Sequence, residues 1–271
     1  MGIDGEPSKP AGRAAFFDLD RTLIPGSSLF LLARAMYDRD LFRIRDLMAI
    51  GWKQVKFVLR GESDVGVAEA QSTALQFVKG RSHAELVRLG DEIAAERIIP
   101  EVYPDIARII ERHQTAGDQT WLVTAAPTEL AEPIAAALGM TGAIGTEAEV
   151  DTTGVYTGRL SGTLLHGPRK AEAVRELAAR TGIDLGGSHA YSDSMNDQSL
   201  LEAVGHPHAV NPDDDLFGHA MRHGWAVHEL RPARRRALVR IGPVGGTLVA
   251  LAVGGTVGYL VGRRRGRRAV T

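Results

Sequence analysis

Asp18-Leu19-Asp20-Arg21-Thr22 sets two carboxylates two residues apart, and Asp193-Ser194-Met195-Asn196-Asp197 sets two more four apart. Each cluster follows a short apolar run, Ala14-Ala15-Phe16-Phe17 in one case and His189-Ala190-Tyr191 in the other. Runs that short read as buried strands, so the carboxylates fall at the edge of a buried sheet, where a charge needs a partner. The 271 residues include no cysteine, which leaves oxygen donors and favours a hard cation. Magnesium fits, because it keeps several waters and uses few carboxylates. Magnesium beside an acidic pair points to phosphoryl chemistry, which needs positive charge and hydrogen-bond donors around the moving group. Lys170 lies in the first turn of a helical pattern through Val174 and Leu177, an unfavourable place for a cation unless it faces an anion. Thr124 closes the run Trp121-Leu122-Val123 ahead of Pro127, which predicts its hydroxyl at a helix N-terminus.

The elements that must position these groups follow from periodicity. Strand, polar loop and helix recur from Ala14, Thr120, Ser188 and about His208, which predicts an α/β fold with a doubly wound parallel sheet. Ligands gather at the carboxyl ends of such strands. Between the first two strands, residues 26–100 show almost no strand signal. Leu29, Leu32, Ala33 and Met36 share one helical face, and Leu47, Gly51, Val55 and Val58 another. Ser82 and Glu85 read as a capping box, Pro104 as a helix start and Gly117 as a helix end. The expected organisation is a core of residues 14–25 and 101–230, a helical cap of residues 26–100, and a tail of residues 231–271. Alternation over residues 144–160 around Thr152-Thr153-Gly154 predicts a β-hairpin flap.

Taken together, Phe17-Asp18-Leu19-Asp20-Arg21-Thr22-Leu23, Val123-Thr124, Lys170 and Asp193-Ser194-Met195-Asn196-Asp197 resemble, in order, the four motifs of the haloacid dehalogenase-like superfamily. The helical insertion after the first motif resembles the subfamily that includes phosphoserine phosphatases, over roughly residues 14–229. The resemblance implies a Rossmann-like fold and a phosphomonoester substrate. It implies Asp18 as nucleophile and Asp20 as general acid and then base. It implies Asp18, the Asp20 carbonyl and Asp193 as ligands of Mg2+, and Thr124 and Lys170 as holders of the phosphoryl oxygens. Thr22, Asn196 and Asp197 would support them from behind. His166, His206, His208 and His219 lack ligand spacing and are read as structural.

Phosphoserine phosphatases carry an acidic residue soon after the first motif and a glycine pair after the second. Here those stretches read Pro25-Gly26-Ser27-Ser28 and Ala125-Ala126. Phosphoserine is therefore one candidate beside other small esters and lipid phosphates. Arg34, Arg43, Arg45, Lys53 and Lys56 are cap cations that either face a substrate or form a solvated helix face. The alternatives are a phosphotransferase or mutase using the same intermediate, and a membrane-tethered binding protein with an inactive fold.

From Arg231 onward there are ten arginines and no acidic residue, so a net charge of −1 for the chain becomes −11 for residues 1–230. An acidic body argues against nucleic acid as a partner. Residues 241–262 hold no charge and seven glycines, a candidate membrane segment whose four-residue glycine spacing suits self-association into a homo-oligomer. Met1 to Arg13 contains no apolar run typical of a secretory signal, so a cytoplasmic catalytic domain at the membrane surface is expected.

Overall fold

The computed structural model describes residues 12–39, 75–76 and 78–231. Its strands are β1 (Ala14–Phe17), β2 (Gln119–Pro127), β3 (Gly142–Thr146), β4 (Ala148–Val150), β5 (Tyr156–Leu160), β6 (His189–Ser192), β7 (His206–Val210) and β8 (Ala226–His228). Its α-helices are α1 (Ser28–Asp38), α2 (His83–Ile93), α3 (Pro104–Thr115), α4 (Thr128–Ala137), α5 (Pro168–Thr181), α6 (Gln198–Leu201) and α7 (Asp214–His223).

Six strands form one sheet in the order β3-β2-β1-β6-β7-β8, every neighbouring pair parallel. The order reverses on either side of β1, which makes the β1–β6 edge the crevice where an open α/β sheet takes its ligand. Both faces are covered, so β1 is apolar throughout. Ala15 and Phe17 join one buried cluster with Leu122, Ile134 and Ile110, while Ala14 and Phe16 join another with Val174, Leu201 and Ala220. That split is the two-residue period of a strand.

Within the predicted cap, α1 buries Ala33, Ala35 and Met36, and α2 leads through a π turn, Ala94–Ile98. Ala35, Met36, Ile93, Ala94 and Ile98 belong to the same buried cluster as Phe17. Gly90 lets α2 lie directly on the start of α4, since a Cβ there would sit 1.9 Å from the Glu129 carbonyl oxygen. The face through Leu47, Gly51, Val55 and Val58, the cations Arg43, Arg45, Lys53 and Lys56, and the segment 241–262 lie outside the described residues. Among the described residues, no helix is long and apolar enough to cross a membrane.

Two local expectations are corrected. Ser82 occupies the N-cap position of α2, but its side chain makes no capping hydrogen bond. The hairpin turn serves instead: the His83 amide donates to the Gly154 carbonyl at 2.9 Å, and Glu85 is drawn toward Arg81. The predicted flap is shorter than residues 144–160. Within it β4 and β5 form an antiparallel pair, whereas β3 pairs parallel with β2 and completes the main sheet. Alternation alone could not separate them, because a half-buried edge strand and a hairpin arm share the same period. Pro104 does open α3, and Gly117 follows its end.

Candidate active site

Asp18 follows β1 directly, its amide donating to the Tyr191 carbonyl of β6 at 2.9 Å, which holds it at the crevice. Its carboxylate is buried and meets two donors: Lys170 Nζ at 2.5 Å and Thr22 Oγ1 at 3.2 Å. Lys170 reaches it from the third position of α5, turned inward by Gly167, whose φ of 56° and ψ of −128° suit only glycine. The same Nζ donates to Asp197 Oδ2 at 2.7 Å, and Ser192 Oγ donates to that oxygen at 2.7 Å. The anion that the position of Lys170 demanded is therefore a pair of carboxylates. Burial alone would lower the lysine's pKa, but Asp18 and Asp197 outweigh it and hold it raised, so Lys170 stays charged.

Asp20 is held differently. Its Oδ1 accepts the first amide of α1, Ser28 N, at 2.7 Å. Burial nevertheless raises its pKa. Asp193 follows β6 directly and is buried, with Arg21 Nε 3.1 Å from its Oδ2. That N–H does not point at the oxygen, which has no hydrogen-bond partner.

Four carboxylates thus meet one buried lysine and one half-exposed arginine. Burial is the main influence on their titration, opposed by Lys170 at Asp18 and by Arg21 at Asp193. Burial, with neighbouring carboxylates adding to it, pushes Asp18 up to about 7 and Asp193 up to about 8. A divalent cation is the complement this arrangement lacks. Among the described residues, no three His, Cys, Asp or Glu side chains converge as a ready cage. The fit therefore rests on the Asp18 and Asp193 carboxylates with the orphaned Asp193 Oδ2, plus the main-chain carbonyl of Asp20. Such a sparse set suits magnesium, which retains waters.

Thr124 is buried and lies one residue beyond the level of Asp18, given the register Phe17 with Leu122. Its expected place at a helix N-terminus is wrong. Strand β2 continues to Pro127, which pairs with Thr146, and α4 begins only at Thr128. The Thr124 hydroxyl instead accepts the Ala126 amide at 3.1 Å. Pro127 explains the delay, because a residue preceding proline avoids the helical region. Asn196 is exposed and joins the group through its backbone, its amide donating to Ser194 Oγ at 3.3 Å.

Sequence reading missed Ser192, Asn211 and Asp213. Asp213 caps α7 through Leu216 N at 2.7 Å, accepts from Met195 N at 3.2 Å, and donates its own amide to the Asp193 carbonyl at 2.9 Å. Asn211 donates to the Arg21 carbonyl at 3.1 Å and accepts from Leu230 N at 2.7 Å. The Asn-Pro-Asp turn at 211–213 was a visible signal for both.

Residues 15–202 match the model of the haloacid dehalogenase-like hydrolases. The chain belongs to that family. Haloacid dehalogenase-like relatives include a protein named phosphoserine phosphatase SerB1 from Mycobacterium tuberculosis, 45% identical over 98% of this chain and 85% of that one. Another, named histidinol-phosphatase, from Neisseria meningitidis, is 32% identical over 79% of this chain and 96% of its own. Among solved structures, a protein of unknown function from Bordetella pertussis aligns with a TM-score of 0.71 and 33% identity, over 82% of this chain and all of that one. A substrate-bound phosphoserine phosphatase shares the fold, with a TM-score of 0.58 at 18% identity, over 86% of this chain and all of its own.

Proposed function

We propose that this hydrolase cleaves a small phosphomonoester through an aspartyl-phosphate on Asp18. The carrying observation is Lys170 Nζ placed between Asp18 and Asp197, 2.5 and 2.7 Å away, in a buried crevice with a net negative charge. A lysine held there is charged, immobile and beside the nucleophile.

Asp18 attacks phosphorus; the phosphorus–leaving-oxygen bond breaks as a bond from phosphorus to the Asp18 carboxylate forms. Asp20, whose raised pKa favours the protonated form, gives its proton to the leaving oxygen. Asp20 then takes a proton from water, which attacks phosphorus, restores the Asp18 carboxylate and frees inorganic phosphate. Lys170 and Thr124 hold the phosphoryl oxygens, and Thr22 fixes the Asp18 rotamer through its 3.2 Å hydrogen bond. Asp197 and Ser192 hold Lys170 in place. A magnesium ion on Asp18, Asp193 and the Asp20 carbonyl would neutralise the phosphoryl charge.

Residues 26–100 act as the cap that selects the ester, and Arg34, exposed on α1, is the described cation among the candidates to face it. The relatives' names put O-phosphoserine and histidinol phosphate in the first panel of substrates. The basic tail holds the domain to an anionic membrane surface. Phosphate release with magnesium from both esters, sugar phosphates, nucleotides and lipid phosphates tests the reading, with Asp18→Asn as control. Release that survives Asp18→Asn, or no release from any ester, would defeat it.

A further inference from the structure

Arg21 is the residue of the first motif for which the reaction has no use, yet its placement is closely specified. Its backbone adopts φ 62°, one of two left-handed non-glycine residues among those described; the other is Asn211, at φ 46°. The two are joined, Asn211 Nδ2 donating to the Arg21 carbonyl at 3.1 Å, while the Arg21 amide donates to the Gly26 carbonyl at 3.1 Å. A left-handed backbone is strained for an arginine and needs surroundings that enforce it. The consequence of that enforcement is the position of the side chain, half-exposed, with Nε 3.1 Å from Asp193 Oδ2.

That oxygen is buried and accepts no hydrogen bond, so the contact is one of charge alone. A charge contact without a directed hydrogen bond, with half the guanidinium side chain in water, is readily exchanged. We propose that Arg21 is a placeholder for the divalent cation at Asp193. It compensates the buried carboxylate before the cation binds, competes with it, and swings out when it arrives.

The proposal rests on the cation reading above and extends it to a residue outside the ligand set. Because the two cations exclude each other at one oxygen, removing the arginine must strengthen binding of the metal. Arg21 is therefore a positioning residue, which holds positive charge against the Asp193 carboxyl group in the metal-free protein.

Calorimetric titration of the full chain with magnesium chloride, without substrate, gives the first test. Arg21→Gln is expected to bind magnesium about threefold more tightly than the unaltered protein, the equivalent of one partly exposed ion pair. The second readout is the Arg21 Nε–H resonance, assigned by its loss in Arg21→Gln. At saturating magnesium it is expected to move toward the position and exchange rate of a solvated arginine. Equal or weaker magnesium affinity in the variant, or an unmoved Nε–H signal, would overturn the placeholder role while leaving the hydrolase intact. Absence of magnesium binding in both proteins would remove the cation reading and this proposal together.

Discussion

Lys170 Nζ and Asp197 Oδ2 lie 2.7 Å apart, both side chains buried, and the same carboxylate oxygen also takes the Ser192 hydroxyl. Asp197 thus fixes the lysine from behind while Asp18 meets it from the front. Asp197→Asn keeps the shape and removes the charge. Lys170 should then lean toward Asp18 and quench the nucleophile. Steady-state kinetics should show kcat down about 100-fold with KM little changed, as for loss of an orienting partner. Lys170→Met should lose about 1,000-fold, because a donor to the transferred group disappears as well. A KM effect without a kcat effect would assign both residues to substrate binding instead.

Metal removal should have a pH-dependent effect on stability. Asp18 and Asp193 titrate near 7 and near 8 in the folded protein, above the ordinary 3.8. The native state then holds more protons than the unfolded chain between those values, so stability falls as pH rises through that interval. The metal-free protein should lose thermal stability between about pH 4 and about pH 8, and magnesium should restore more of it at the upper end. Tm measured with EDTA and with magnesium across that range checks this. A magnesium gain independent of pH would contradict it.

The histidines predict the opposite slope. His189 Nδ1 lies 3.0 Å from His208 Nε2, and His208 Nδ1 lies 3.0 Å from His228 Nε2, forming a chain of imidazoles along β6, β7 and β8. Tyr191 stacks on His208 with centroids 4.3 Å apart. His113 caps the array between Asp118 and the Tyr191 hydroxyl, and His206, Arg13 and Arg112 act on it electrostatically. Burial, with the neighbouring histidines adding to it, lowers His189 to about 4 and His208 to about 3. Their contribution is complete above the ordinary histidine value of about 6.5 and is lost as pH falls from there toward about 4. With magnesium present, Tm should drop through that window, and His208→Phe should flatten the drop whatever it does to Tm itself. An unchanged slope in the variant would locate the acid sensitivity elsewhere.

The parallel sheet and the carboxylates at its edge were legible because β1 and β6 are short apolar runs ending in charge, a pattern that depends only on local sequence. The lysine was legible because its helix position was electrostatically wrong without an anion. The histidine chain was not, since His189, His208 and His228 come together only through strand order, and no spacing within one segment encodes that. The contact between Asn211 and Arg21 escaped for the same reason, since the hydrogen bond spans 190 positions. Thr124 was placed near its helix but four residues early, because the pairing of Pro127 with Thr146 prolongs β2.

The central claim is a covalent bond between Asp18 and phosphorus. A single turnover with enzyme in excess, magnesium present, and a hydrolysed ester from the substrate panel would be quenched in acid, reduced with borohydride and mapped by mass spectrometry. The account predicts reduction at position 18 alone, absent without substrate and absent in Asp18→Asn. Phosphate released in that turnover with an unmodified Asp18 peptide at every quench time would contradict it, and would assign the hydrolysis to direct attack by water.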